Sequence, residues 1–271
     1  SRQLYRGTEV CTDIPSGRWR SFGGRRRAYV VDGVPHYLLG SESPTRPLTL
    51  DEYQRRAVWR LREIASRGRL PILAGGTGLY VRAVVGNFSG PRVAPDQKFR
   101  SGLDGVSTTE LFRRLQRIDP DYAERIGAGN RRYIVRALEV QRATGRPFSE
   151  QQGRGEPQFD WLELGVDRPR EELYRRIDER VDWMFGHGLL PESGRIFSRY
   201  GASARISTSL GYAQLVGYFS GQYGLEEAQR RIKRDTRHYA RRQLTWLRRD
   251  RNIRWVSGLA EARKIVHKFI G

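Results

Sequence analysis

The stretch that most constrains the fold runs from residue 70 to residue 82 and reads LPILAGGTGLYVR. Its apolar first part, residues 70–74, is followed by Gly75 and Gly76, which is the pattern of a strand buried on both faces. The glycines predict a tight turn, Thr77 adds a hydroxyl group, and a helical pattern follows. A strand, such a turn and a helix N-terminus direct backbone N–H groups to one point that suits phosphate oxygens. So short a motif more often marks a purely structural turn of an α/β protein than a phosphate-binding site.

The segments around this stretch predict an α/β fold with a parallel sheet. Thr49 and Glu52 form a capping box at the start of a helix, so that helix, buried strand and helix follow one another. We predict loops at residues 1–7 and 11–27. Further strands are predicted at residues 29–31, 161–166 and 252–256, and further helices after a cap at Asp167 and at residues 225–248 and 259–270.

Residues 97–158 have a different character, because helical patterns follow one another there without a strand between them. The predicted helices cover residues 107–118, 120–126 and 131–144, the last of them capped by Asn130. We therefore predict a helical insertion domain. The predicted organisation is a core domain over residues 1–96, the insertion over 97–158 and the core continued over 159–271.

The charge indicates a polyanionic partner. The chain has 50 Lys and Arg residues against 30 Asp and Glu, a net charge of +20. Most of the cations are arginines, which form bidentate contacts with phosphate and stack on bases, so RNA is the natural partner. The basic positions are also compatible with a solvated helix surface. The groups concerned are Arg131, Arg132 and Arg136 at one helix start, and Arg230, Arg234, Arg237 and Arg241 along another helix.

Composition excludes several classes of protein. The mean hydropathy is −0.68, and no apolar run approaches the roughly 20 residues that a membrane span needs. A single cysteine, Cys11, excludes an internal disulfide and fits the cytoplasm. The four histidines are scattered, so the sequence predicts no zinc site.

Seven motifs in a fixed order resemble the tRNA dimethylallyltransferase (tRNA isopentenyltransferase) family. They are SRQLYRG, VPHYLL, LPILAGGTGLYVRAV, NRRYIVRALEV with TGRPFSE, RIDERVDWM, TSLGYAQ and RHYARRQLTWLRRD. The resemblance implies a parallel-sheet core related to P-loop nucleotide-binding folds, with a helical insertion. It implies transfer of a dimethylallyl group from dimethylallyl pyrophosphate to the N6 amine of the adenosine 3′ of the tRNA anticodon. It further implies Mg2+ as the cofactor, the anticodon stem-loop as the partner and a monomeric enzyme.

The resemblance also assigns residues to roles. Thr77 and Arg176 match catalytic residues that stabilise the leaving pyrophosphate, although acids on both sides of Arg176 also explain it as an intrahelical ion pair. The implied pyrophosphate site consists of Gly75, Gly76, Thr77, Arg176 and Arg180. The implied tRNA contacts are Ser1, Arg2, Gln3, Arg131, Arg132, Arg136, Arg242 and Gln243. Core packing stays open for Arg242 and Gln243, as it does for Trp246, and no metal ligand is assigned.

Departures from the family pattern limit what this chain is expected to do alone. The resemblance puts a P-loop and a general-base aspartate before residue 1, so we expect the chain by itself to be inactive or nearly so. Other departures are CTDIP at residues 11–15, Gly40 and Tyr133. The alternatives are a non-catalytic RNA-binding remnant, an adenylate isopentenyltransferase acting on free nucleotide and, last, a small-molecule kinase.

Overall fold

The computed structural model describes residues 2–22, 27–45, 48–91, 93–202, 204 and 206–271, without the side chains of residues 89 and 154. Ser1, which the resemblance assigns to tRNA contact, lies outside the described residues. The chain forms two compact units. The discontinuous unit consists of Ser1–Val81 and Trp161–Gly271, and the helical unit is Arg82–Asp160.

The described residues of the discontinuous unit form small sheets and seven α-helices. This combination confirms the prediction of an α/β fold. Strands β1 to β3 form an antiparallel sheet, and β6 pairs with β7 in parallel. The strands are β1 (Arg18–Ser21), β2 (Arg27–Val31), β3 (Val34–His36), β6 (Leu164–Val166) and β7 (Arg254–Val256), and a 3₁₀ helix covers Arg2–Leu4. The helices are α1 (Leu50–Ala65), α2 (Gly78–Val85, which crosses the unit boundary), α7 (Arg170–Gly186), α8 (Leu189–Tyr200), α9 (Tyr212–Phe219), α10 (Leu225–Leu247) and α11 (Leu259–Ile270).

The core of this unit lies among its C-terminal helices. Leu189, Leu215 and Ile232 bring α8, α9 and α10 together, and Val181 joins them from α7. These side chains are almost completely buried, so their removal from water stabilises the packing of the four helices.

The prediction of a buried strand at residues 70–74 is wrong. This segment is irregular, and Leu70 and Ile72 are 55% and 79% exposed. A strand needs a neighbour that shares its ladder of hydrogen bonds, and none of the described strands pairs with this segment. The apolar run instead lines a cavity of about 930 Å³, together with Tyr53 and Tyr80, which are stacked at 4.1 Å.

Three local predictions also need correction. Residues predicted as loop form the 3₁₀ helix and strand β1. Helix α7 begins at Arg170, after Pro169 rather than after Asp167. A residue before proline is disfavoured in the helical region, which keeps Arg168 out of the helix. Asn130 occupies the N-cap of α6 but its side chain makes no capping hydrogen bond.

The helical unit packs around a core that its own helices supply. The fully buried Leu111, Leu115, Ile134 and Val140 come from α4 (Thr108–Ile118) and α6 (Arg131–Thr144). The predicted bounds 120–126 and 131–144 are confirmed, because Pro120 begins one helix and Gly145 ends the other. The elements are α3 (Gln97–Ser101), α4 (Thr108–Ile118), α5 (Pro120–Ile126), α6 (Arg131–Thr144), a 3₁₀ helix at Ser149–Gln151, and the antiparallel strands β4 (Phe88–Ser89) and β5 (Gly153–Arg154).

Candidate functional site

The Gly-Gly-Thr turn is held by the C-terminal part of α10. Gln243 donates a hydrogen bond from Nε2 to the carbonyl oxygen of Gly76 at 2.8 Å. A side chain at position 78 would overlap the indole ring of Trp246, so glycine is required for this close approach. Thr77 accepts backbone hydrogen bonds from the first turn of α2. Residues from two distant parts of the sequence therefore fix one turn.

Arg176 and Arg180 both lie on α7, but their surroundings differ. Arg176 is more than half exposed and lies 3.7 Å from Glu172, one turn away, so the intrahelical ion pair considered from the sequence is present. Arg180 makes an ion pair of 2.6 Å with Asp13 and donates a longer hydrogen bond of 3.4 Å to the carbonyl oxygen of Val10. Its guanidinium also stacks on Trp183 at 4.0 Å. Arg180 therefore binds the loop of residues 8–14.

A buried glutamate fixes the same loop from the other side. Glu192 on α8 is 1% exposed and accepts hydrogen bonds from the N–H groups of Val10 and Cys11, at 2.8 and 2.9 Å. The hydroxyl group of Tyr212 donates to it at 2.8 Å. The loop in turn accepts a 2.7 Å hydrogen bond from Gln3 at the carbonyl oxygen of Asp13. Glu192 thus fixes the loop to which Gln3, one of the predicted tRNA contacts, donates a hydrogen bond.

Burial, with a smaller contribution from Glu192, raises the pKa values of two groups beside this carboxylate. Burial first, and the charge of Glu192 second, raise the pKa of the Cys11 thiol to about 12. Burial also raises the pKa of Tyr212, and the Cys11 thiol and Glu192 add to this effect. Both groups are therefore neutral at physiological pH and act as hydrogen-bond donors rather than as nucleophiles.

Sequence reasoning missed Glu192, although a signal was present. The buried residues of α8 are Leu189, Glu192, Ser193 and Ile196, spaced as the apolar face of a helix. A carboxylate on such a face needs hydrogen-bond donors or a cation beside it, because burying an unpaired charge is costly.

The arginines predicted to contact RNA in the helical unit fall into two groups. Arg131 donates to the backbone carbonyls of Leu103 and Val106, at 2.5 and 2.6 Å. Arg136 donates to the carbonyl oxygen of Val93 at 2.7 Å and pairs with a buried glutamate. Both side chains brace the unit, whereas Arg132 is exposed.

That buried glutamate is Glu139, which the sequence analysis did not identify. It accepts a bidentate pair of hydrogen bonds from Arg100 at 2.8 and 2.9 Å, and one from the N–H of Asp96 at 2.7 Å. Burial alone would raise its pKa, but hydrogen bonds from Arg100, Arg136 and Asp96 outweigh burial and lower the pKa to about 2.

The predicted basic stripe of α10 is largely paired with acids. Arg230 pairs with Glu227, and Arg234 lies 2.8 Å from Asp235. Arg237 lies 3.6 Å from Asp178 of α7. These pairs support the interpretation of this part of α10 as a solvated, ion-paired face. Arg242, further along the helix, is exposed and lies 6.0 Å from the ring of Tyr239.

The described part of the chain contains neither a cluster of metal-binding side chains nor a membrane-spanning helix. No three His, Cys, Asp or Glu side chains within it converge to form a metal-binding group. None of its helices is both long enough and apolar enough to cross a membrane.

The fold and this site define an α/β chain in which a glycine-rich turn and a loop rich in hydrogen bonds are both held by C-terminal helices. The model of the IPP transferase family matches residues 3–250. The tRNA dimethylallyltransferase of Thermomicrobium roseum is 43% identical over 260 residues, covering 94% of this chain and 76% of that protein. The enzyme of that name from Geobacillus kaustophilus is 36% identical over 261 residues, with 94% and 79% covered. The chain belongs to the IPP transferase family.

Solved structures agree with this assignment. The full-length tRNA isopentenylpyrophosphate transferase from Bacillus halodurans aligns with a TM-score of 0.66 and 31% identity, covering 100% of this chain and 84% of that chain. A eukaryotic dimethylallyltransferase acting on tRNA aligns with a TM-score of 0.69 over 91% of this chain and 61% of its own. At 22% identity the latter likeness supports the fold alone.

Proposed function

We propose that this protein transfers a dimethylallyl group from dimethylallyl pyrophosphate to the N6 amine of the adenosine 3′ of the tRNA anticodon, with release of pyrophosphate. The observation that carries the proposal is the family match over residues 3–250, with relatives named tRNA dimethylallyltransferase. We further propose that it acts in the cytoplasm as a monomer, and that the helical unit contacts the anticodon stem.

The chemistry requires stabilisation of a leaving group. The lone pair of N6 attacks the CH2 carbon that bears the pyrophosphate, the bond between that carbon and the pyrophosphate oxygen breaks, and its electron pair leaves with the pyrophosphate. N6 then loses a proton to a base. Negative charge grows on the phosphate oxygens, so fixed donors near them lower the barrier.

The Gly-Gly-Thr turn is suited to supply such donors. We assign the backbone N–H groups of Gly75 and Gly76 and the hydroxyl of Thr77 to the pyrophosphate oxygens. The turn is held in place by Gln243 and by the contact between Gly78 and Trp246. Its donors therefore need little reorganisation when the ligand binds.

Arg176 is the cation that we assign to the same anion. Its ion pair with Glu172 is long and largely exposed, so it is weak and its guanidinium can exchange to a phosphate. Arg180 is occupied by the loop of residues 8–14 in this structure. We assign it a supporting part in pyrophosphate binding.

The Mg2+ requirement is part of the proposal, and the pyrophosphate oxygens would be its principal ligands. Mg2+ is usually held by substrate phosphates, water and one or two carboxylates rather than by a protein cage. Among the described residues, no three His, Cys, Asp or Glu side chains form a dedicated cage.

The acceptor is the other half of the proposed site. The target base must leave the anticodon loop to react, and unpaired loops make this inexpensive. We assign the RNA contacts to Arg2, Gln3, Arg132, Arg242 and Gln243, and a bracing role to Arg131 and Arg136.

A transfer assay tests the function. The protein encoded by the complete reading frame is incubated with labelled dimethylallyl pyrophosphate, Mg2+ and an anticodon stem-loop containing the adenosine. We expect label in the RNA at N6. Label in AMP but not in RNA would instead establish an adenylate isopentenyltransferase, and tight RNA binding without transfer to either would overturn the enzyme assignment.

Matched variants test the site. Arg176→Ala should lower kcat by about 100-fold or more, the usual cost of removing one stabilising donor. Arg175→Ala is the control, because Arg175 is a neighbouring exposed arginine in an ion pair of the same spacing, 3.1 Å from Glu179. Thr77→Ala should lower kcat and Thr77→Ser should restore most of it. Equal losses for the two arginine variants would contradict the assignment.

A further inference from the structure

The antiparallel sheet β1–β3 has an unusual surface for a peripheral sheet. Residues 14–31 contain five arginines and no acid. All four residues of β1 are exposed, and they include Trp19, a large apolar side chain that is 44% exposed. An exposed aromatic ring among arginines is the combination on which unpaired bases stack.

The two faces of β1 carry different groups. Side chains alternate along a strand, so Arg18 and Arg20 share one face and Trp19 lies on the other. Trp19 is opposite Tyr29 in the ladder, and their rings meet edge to face at 5.7 Å. Arg27 of β2 lies over the indole at 5.6 Å. Aromatic rings and a guanidinium thus form one continuous surface.

The arginines of this sheet have no acidic partner among the residues that the structure describes. Within the described residues, no carboxylate forms an ion pair with Arg18, Arg20 or Arg27. By contrast, most of the cations along α10 have acidic partners. Unpaired guanidinium groups beside an exposed ring are the combination that binds unpaired nucleotides, in which bases stack and phosphates meet cations.

Trp19 and Arg27 line a cleft of about 490 Å³ together with Tyr29, Arg6 and residues 39–41. Glu9 contributes one carboxylate to its lining and is engaged by the N–H of Gly7 at 3.0 Å. The cleft adjoins the 3₁₀ helix Arg2–Leu4, because the N–H of Gly40 donates to the carbonyl oxygen of Gln3 at 2.8 Å. Gln3 belongs to the stretch proposed to contact the target nucleotide.

We infer that the β1–β3 sheet is a second RNA-binding surface, on which Trp19 stacks an unpaired base of the anticodon loop next to the target adenosine. Arg27 lies over the same indole ring. Arg18 and Arg20 contact the RNA backbone from the opposite face of the strand. The inference rests on the proposed function for the identity of the RNA. It extends that function by strands β1 and β2, which lie outside the seven sequence motifs.

The test compares two exposed tryptophans in the full-length protein. Trp19→Ala should raise the Kd for the anticodon stem-loop by about 10-fold or more, within the range for loss of one base–aromatic stack. Trp19→Phe should retain most of the affinity because it keeps an aromatic face. Trp59→Ala is the matched control, since Trp59 is 60% exposed and also lies beside an arginine, Arg60, at 4.5 Å.

Two further measurements separate stacking from charge. The Kd for a stem without its loop should be the same for Trp19→Ala and the unmodified protein. The double variant Arg18→Gln, Arg20→Gln should reduce the slope of log Kd against log salt by about 1.4, because each single-strand phosphate that an arginine neutralises accounts for about 0.7.

The failure of this inference can be distinguished from failure of the proposed function. If the unmodified protein transfers the dimethylallyl group but Trp19→Ala binds the stem-loop as tightly as Trp59→Ala, the inference is overturned and the function stands. If Trp19→Ala weakens binding to the bare stem as much as binding to the stem-loop, the surface recognises RNA by shape or charge, and the claim that Trp19 stacks on a loop base is overturned. Circular dichroism of each variant establishes that it is folded.

Discussion

Two glutamates, one in each unit, are almost completely shielded from water, but their charges are compensated in different ways. Glu139 faces two guanidinium groups, those of Arg100 and Arg136. Glu192 faces two backbone N–H groups and the hydroxyl of Tyr212, none of which carries a formal charge. A carboxylate opposed by arginines ties helices α3 and α6 together. A carboxylate opposed by backbone N–H groups instead fixes the path of a loop.

The largest effect is expected for Glu139→Ala. The substitution leaves two arginines without their partner, and we expect the free energy of unfolding to fall by about 3 kcal/mol, the lower end of the range for breaking a buried ion pair. Both arginines are partly exposed, which favours the lower end.

Urea unfolding followed by circular dichroism measures this effect. Glu150→Ala is the control, because Glu150 is exposed and its pair with Arg146 is 3.4 Å long; a change below about 1 kcal/mol is expected there. Similar losses for both variants would contradict the difference between buried and exposed pairs.

The pH dependence of the unfolding free energy tests the contribution of the Glu139 charge. The pKa of Glu139 is about 2 in the folded state, below its ordinary value of 4.5. The stability that its charge supplies is therefore complete above pH 4.5 and is lost as the pH falls towards 2. A shift of this size corresponds to roughly 3 kcal/mol. The difference in unfolding free energy between the unmodified protein and Glu139→Gln should shrink over this range, and a constant difference would exclude the assigned cause.

A smaller effect is expected for Glu192→Gln. The amide keeps one acceptor oxygen, but its NH2 group then faces a backbone donor, so one N–H in the loop of residues 8–14 is left unsatisfied. The loss should be about 1–2 kcal/mol. Glu226→Gln, at an exposed position on α10, provides the control in the same urea experiment. A loss as large as that of Glu139→Ala would remove the distinction drawn between the two sites.

The smallest effect is expected for Tyr212→Phe, which removes one neutral donor from Glu192. A loss of about 1 kcal/mol is expected, because two N–H groups still satisfy the carboxylate. A double-mutant cycle with Glu192→Ala, which removes the acceptor oxygen, isolates the interaction between the two side chains. Strictly additive losses would mean that the 2.8 Å hydrogen bond contributes nothing.

The comparison also shows where sequence reasoning succeeds. Helices α5, α6 and α11 were predicted at their observed bounds, and for the first two the reason is local, because Pro120 begins α5 and Gly145 ends α6. The strand at residues 70–74 was wrong because an apolar run does not determine whether a neighbour pairs with it. Both buried glutamates were missed, as their compensating donors come from other elements.

The candidate site was predictable in part for the same reason. The residues of the Gly-Gly-Thr turn are adjacent in sequence, so the motif could be recognised. The roles of Gln243 and Trp246 depend on how α10 packs, and the sequence left them open between RNA contact and packing. The structure places both against the turn.

The hydrogen bond between Gln243 and Gly76 spans 167 positions of the chain. During synthesis the turn therefore leaves the ribosome long before the residue that closes it exists. Contacts of such sequence separation form late, because the entropy of closing the intervening loop must be lost first. A nascent or prematurely terminated chain that ends before α10 should consequently have an unclosed Gly-Gly-Thr turn, which couples the maturation of the candidate site to completion of the C-terminal helices.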